Sequence, residues 1–158
     1  MTNHLDVGVA DDFELSISRE YAASRNDVFR AWVDREQLVK WWGPHGFTTP
    51  ECEMDLRPGG RFRTVMRGPD GTDYPTEGVY REVSPPTRLV FSTPFGGEGQ
   101  PKHEAFCEVT LTESRGRTRL TVRWRHQTVA DREAHEKMGF ERGWAQTLER
   151  LGDVVERR

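Results

Sequence analysis

The sequence predicts an α+β fold in which a curved antiparallel seven-stranded sheet wraps around one long C-terminal helix. Three observations lead there. Seven segments alternate apolar and polar residues with period two. Turn signals separate most neighbours, and short connections force antiparallel pairing. The last quarter of the chain changes to a period of three to four residues. An antiparallel sheet leaves one face to bury, and the long helix is the element available to cover it. A lone helix is about 10 Å wide. Seven strands at ~4.8 Å spacing span roughly 30 Å. Large side chains must fill that mismatch, or a cavity remains.

In chain order, residues 1–12 are polar and aperiodic and read as a loose N-terminal tail; residues 13–158 read as a single domain. From Phe13 onward, Phe13, Leu15, Ile17 and Arg19 alternate with Glu14, Ser16, Ser18 and Glu20, a half-buried strand. Ser24 then precedes Asp27 at capping-box spacing, and Val28, Phe29, Trp32 and Val33 share one helical face. Asp34 caps a second short helix, Arg35 to Trp41, which Gly43-Pro44 stops.

Strands follow at Phe47 to Leu56, Arg61 to Arg67, Asp73 to Val83 and Thr87 to Thr93. Cys52, Met54 and Leu56 share the inward phase of the first, and Glu51, Glu53 and Asp55 the outward one. Those acids face water and can pair with Arg61, Arg63 and Arg67 across the strands. Arg57-Pro58-Gly59-Gly60 and Gly68-Pro69-Asp70-Gly71 are turns. Pro94 to Pro101 reads as a mobile loop. His103 to Thr112 and Thr118 to Arg125 form the last hairpin. Phe140, Trp144, Thr147, Leu148, Leu151 and Val155 then mark an amphipathic helix from about Asp131 to Glu156. Gly139 and Gly143 fall inside it, where each costs ~1 kcal/mol relative to Ala. They permit a close approach or leave space for something else.

Composition narrows the function. The 158 residues carry a formal net charge of -3, with Arg outnumbering Lys 20 to 3. A net-acidic chain is a poor sequence-independent nucleic-acid binder, so no nucleic-acid partner is expected. Leu, Ile, Val and Phe supply only about one fifth of the residues, and five Trp compensate. No apolar run approaches the ~20 residues of a membrane span. Met1 to Asp12 lacks the apolar block of a signal peptide, so a cytoplasmic location is expected. Cys52 and Cys107 stand 55 positions apart, which indicates neither a disulfide scaffold nor a zinc cage. The histidines His4, His45, His103, His126 and His135 show no metal spacing, and no cofactor is expected. There is no GxSxG and no phosphate-binding glycine loop.

Several pieces in order carry a resemblance. They are Trp41-Trp42-Gly43-Pro44, Asp55-Leu56-Arg57-Pro58-Gly59-Gly60 leading into Arg61-Phe62, and Pro69-Asp70-Gly71. Gly78-Val79-Tyr80-Arg81-Glu82-Val83, Pro86-Thr87-Arg88-Leu89-Val90-Phe91 and Gly143-Trp144 with Leu148 and Leu151 complete the set. Over about residues 13 to 155 the chain resembles the activator-of-Hsp90-ATPase-like branch of the START/Bet v 1-like (SRPBCC) superfamily. The resemblance implies the helix-grip fold, with two short helices after strand 1 and a cavity between sheet and C-terminal helix. Relatives include lipid and steroid carriers, aromatase/cyclases, hormone receptors and Hsp90 co-chaperones, and fold does not choose among them.

The inward phases supply the candidate ligand-binding residues: Trp41, Phe47, Phe62, Thr64, Met66, Tyr80, Phe91, Cys107, Val109, Trp124, Phe140 and Trp144. For any single ring, plain core packing is the commoner role. Phe140, Trp144 and Phe47 are placed near the mouth, and Trp42 is expected to pack structurally against its turn. Tyr80 is the polar candidate, since a buried hydroxyl needs a partner. Cys107 reads as an inert small hydrophobe. No catalytic constellation is recognised; Tyr80 and His45 are the first candidates for proton transfer. His126 and His135 are expected at the surface.

Three functions follow. The first is a carrier or regulatory protein that holds a small apolar or aromatic ligand. The second is a cavity-based cyclase, dehydratase or hydrolase, which requires Tyr80 or His45 to point into the cavity. The third is an Hsp90-stimulating module. It is discounted, because this chain is expected to lack the extra N-terminal domain of such co-chaperones. A sheet edge or the first helix pair offers a surface for a homodimer.

Overall fold

The computed structural model describes residues 5–8, 12–95 and 103–156. Its strands are β1 (Leu5–Gly8), β2 (Glu14–Tyr21), β3 (Thr48–Met54), β4 (Arg61–Arg67), β5 (Asp73–Ser84), β6 (Arg88–Phe95), β7 (His103–Ser114) and β8 (Arg117–Arg125). Its helices are α1 (Arg25–Val33), α2 (Arg35–Trp41), α3 (Val129–Lys137) and α4 (Phe140–Val155). All neighbours pair antiparallel in the order β1-β2-β8-β7-β6-β5-β4-β3. The α1–α2 pair carries the chain from β2 to the far edge at β3.

The seven expected strands and the two short helices are all present. Ser24 accepts from the Asp27 amide and Asp34 from the Glu36 amide, so both helices start at the expected caps. The expected inward phases are buried at Leu15, Ile17, Cys52, Phe62, Leu89, Phe91, Cys107, Val109, Leu120, Val122 and Trp124. Glu51 and Glu53 pair with Arg63, and Arg61 with Glu53 and Glu77, on the outer face.

Five expectations need correction. Residues 5–8 of the expected tail form an eighth strand, β1, paired with β2 from Leu5↔Arg19 to Gly8↔Ser16. Leu56 follows β3 and is exposed, because the chain turns before its side chain can join the sheet face. The C-terminal helix is two helices: Gly139 takes φ 100°, a left-handed conformation, and separates α3 from α4. His126 is 4% exposed rather than on the surface. The expected mobile loop overlaps β6 at Pro94 and Phe95, and its remainder, residues 96–101, lies outside the described residues.

Helix α4 lies against α2, α1 and β2. Its Leu148 and Leu151 are fully buried. Tyr21 of β2 donates its buried hydroxyl to the Leu148 carbonyl at 2.7 Å, which pins the helix to the sheet. Burial pushes the Tyr21 phenol far up, so that proton stays in place.

Candidate functional site

The turn between α2 and β3 forms one wall of the candidate site. The Trp42 amide closes α2 on Leu38, and Gly43 turns the chain at φ 101°. Arg150 of α4 holds this turn. Its Nη1 donates to the carbonyls of Gly43 at 2.8 Å and Pro44 at 3.0 Å, and Nη2 donates to Lys40 at 3.1 Å. Burial lowers the Arg150 pKa, yet the guanidinium stays charged and satisfied by carbonyls at the end of α2 and in the turn after it. The His45 amide donates to Gln146 Oε1 at 3.1 Å, and His45 Nε2 lies 2.8 Å from Glu149.

Between this turn, β4–β5 and the α3–α4 junction lies a cavity of about 450 Å³. Trp42, Gly43, Pro44 and Phe47 line it from the turn, and Met66 and Tyr74 from the strands. His135, Met138 and Gly139 line it at the junction, and Phe140, Gly143, Trp144 and Thr147 from α4. The Thr147 hydroxyl donates to the Gly143 carbonyl at 2.8 Å, which leaves its oxygen lone pairs as acceptors. Among the described residues, no Lys, Arg, Asp or Glu side chain lines this cavity.

Beneath it the interior is filled. Trp144 stacks on Trp32 at 6.3 Å between centroids and meets Trp42 edge-on at 5.9 Å. Trp42 contacts Phe62 at 5.6 Å, Phe62 contacts Phe91 at 5.1 Å, and Phe91 contacts Trp124 at 5.9 Å. Such offset and edge-on pairs pack rings densely. The aromatic chain therefore occupies much of the hollow expected between sheet and helix, and the cavity described above lies toward the mouth.

Of the twelve candidate ligand-binding residues, Phe47, Met66, Phe140 and Trp144 line the cavity. Trp41, Phe62, Thr64, Tyr80, Phe91, Cys107, Val109 and Trp124 are core residues instead, each less than one tenth exposed. Alternation reports which side of a sheet a residue faces, not how deeply it is covered. Trp42, expected to be structural, is part of the wall.

Neither proton-transfer candidate reaches the cavity. Tyr80 is fully buried and stacks on Phe62 at 5.1 Å, and burial pushes its phenol far up. The His45 ring is half exposed and turned to Glu149. Cys107 is fully buried, and burial raises its thiol well above the usual range, as for an inert side chain.

The sequence reading missed Tyr74, His135, Met138 and Thr147. Thr147 had a signal, being a polar residue in the apolar stripe of α4. His135 had none, because its neighbours in α3 are exposed. It packs edge-on against Trp124 at 5.5 Å, Phe140 at 5.2 Å and His126 at 5.0 Å. His126 Nδ1 lies 2.9 Å from the Phe13 carbonyl and its Nε2 lies 2.8 Å from His135 Nδ1. Burial lowers both imidazoles, that of His135 to about 4.

Comparison with known proteins places this geometry. The model of the family "Activator of Hsp90 ATPase homolog 1-like protein" matches residues 22–156. The chain belongs to this family. Among solved structures of similar proteins, one from Nitrosomonas europaea is 32% identical, with a TM-score of 0.84 over 94% of this chain and 97% of that one. A Mycobacterium smegmatis protein is 28% identical, with a TM-score of 0.84 over 96% and 98%. An AHSA1 protein from Silicibacter pomeroyi is 26% identical, with a TM-score of 0.73 over 89% and 95%. No curated protein matches the chain. The fold is thus the helix grip of the activator-of-Hsp90-ATPase-like family, with its hydrophobic aromatic interior. No helix among the described residues is long and apolar enough to cross a membrane.

Proposed function

We propose that this activator-of-Hsp90-ATPase-like protein binds a small, largely apolar molecule with aromatic character at the mouth cavity. Gly143 carries this reading. It sits inside the 16-residue helix α4, where Ala would be favoured by ~1 kcal/mol. A Cβ added there would come no nearer than 4.0 Å, to Pro44 Cγ. Sterics do not require glycine at this position, and its absent side chain keeps the cavity open. The volume of about 450 Å³ suits a ring system of two or three rings. Tyr74 and Met138, two of the exposed large apolar side chains, stand at the rim.

The enzyme reading loses its named candidates, since Tyr80 and His45 stand outside the cavity. The test is a fluorescence titration with the neutral probe N-phenyl-1-naphthylamine. Wild-type protein is expected to bind it saturably. Gly143→Leu puts a side chain into the space and should weaken binding at least ten-fold without lowering the urea midpoint. Equal binding by Gly143→Leu, or no saturable binding by wild type to this probe, defeats the reading.

A further inference from the structure

We propose that α3 is a hinged cover of the cavity, latched by the His135 ring and released when the latch is protonated. Its consequence for a ligand rests on the cavity reading above; the latch itself does not.

Helices normally dock through an apolar face. None of the nine residues of α3 is fully buried, and His135 is the partly buried one that packs among rings. Its apolar residues Val129, Ala130 and Ala134 are exposed. Polar ties hold it instead. Thr128 caps the Asp131 amide, Asp131 pairs with His103 of β7, and Arg132 Nε donates to the Asp12 carbonyl at 3.0 Å. His135 is the α3 side chain that enters the aromatic body, between Trp124 of β8 and Phe140 of α4. At the far end Met138 is 76% exposed, and Gly139 has φ +100° with no atom within 4 Å of an added Cβ. That is a joint with room to turn. His135, Met138 and Gly139 line the cavity, so a swing of α3 removes one of its walls.

The hydrogen-bond chain explains why protonation opens the latch. The Phe13 carbonyl can only accept, so His126 Nδ1 carries the proton toward it. Neutral His126 then accepts at Nε2 from the Nδ1–H of His135. A proton added to His126 fits only if His135 shifts its own proton from Nδ1 to Nε2, and it leaves a cation in a buried place. A proton added to His135 places a cation among apolar rings and beside a second imidazole. Asp131 favours the charged form of His126 and Arg132 opposes it, while Trp124 and Phe140 bring no charge. Arg132 also pairs with Glu136, and His103 with Asp131.

Burial holds docked His135 at about 4, against ~6.5 for a solvated imidazole. Between those values the undocked state binds more protons, so docking weakens as pH falls from 6.5 and levels off below 4. Lowering pH from 7.5 to 5.0 should shift the equilibrium about 30-fold toward the undocked state.

Hydrogen exchange on the whole chain at pH 7.5 and 5.0, corrected for intrinsic rates, tests this. Amides in residues 129–137 should gain protection-factor losses of about 30-fold at pH 5.0, while α4 amides past Leu148 hold. His135→Phe keeps a ring but cannot be protonated, and its α3 exchange should not respond to pH. In unaltered protein, an NMR titration of the His135 ring should give a midpoint far below 6.5. A midpoint near 6.5, an unchanged α3, or an equal acid response in His135→Phe overturns the latch. Dissociation of N-phenyl-1-naphthylamine should quicken with α3 opening; a constant rate while α3 opens overturns its role as a cover. If the probe never binds, the cavity reading fails, and the exchange and titration still decide the latch.

Discussion

Tyr80 is fully buried, yet its hydroxyl has no hydrogen-bond partner among the described residues. The indole nitrogens of Trp32 and Trp124 share that state. An unmade buried hydrogen bond costs about 1–3 kcal/mol. Tyr80→Phe should therefore leave stability unchanged or raise it by up to about 1 kcal/mol, measured by urea denaturation. A loss beyond about 1 kcal/mol would mean that the hydroxyl is satisfied in solution. At this scale the sequence marked Tyr80 as inward, and its partner was out of reach of any pattern. Phe62, which stacks on it, lies 18 positions away, on the strand that pairs with β5. His135 shows the opposite failure. Read along α3 it is one polar residue among others, and only the arrival of Trp124, His126 and Phe140 from other elements makes it a packed side chain.

Among elements, the decisive contact is the grip of α4 on the turn after α2. Arg150 gathers carbonyls from Lys40, Gly43 and Pro44 with two nitrogens. Arg150→Met should destabilise the fold by about 2 kcal/mol, because carbonyls at the end of α2 and in its turn lose a charged donor. Arg150→Lys should fall between, since one ammonium cannot reproduce the fork. Urea midpoints read both, and equal midpoints for wild type and Arg150→Met would show that the clamp contributes nothing. Element type and order were legible here: Ser24 and Asp34 announced their helices, and Gly43-Pro44 announced the stop. The break at Gly139 was not, because a glycine near a helical stripe does not by itself announce a left-handed joint. Strand β1 was not legible either. Four residues carry little periodic signal, and pairing with β2 creates the strand.

For the whole molecule, the division between filled core and open mouth predicts two different tryptophans. Trp41 is fully buried and donates its indole N–H to the Ala31 carbonyl at 3.0 Å. Trp41→Ala should cost about 3–5 kcal/mol. Trp144 is only partly buried and faces the cavity. Trp144→Ala should cost about 1–2 kcal/mol and weaken probe binding more than it weakens the fold. Denaturation and probe titration on both variants check this, and a larger stability loss at Trp144 would reverse the assignment of core and wall.

The sequence by itself determined the antiparallel strands, the capped helix pair, the C-terminal helical region, the family, and an interior built of rings. The family follows from its resemblance in ordered motifs such as Trp41-Trp42-Gly43-Pro44, and the rest from local periodicity, turn chemistry and the scarcity of aliphatic side chains. Tertiary structure decided where the rings stop. Whether an inward side chain meets another ring or empty space depends on residues from distant elements converging on it, and no spacing along the chain encodes that distance.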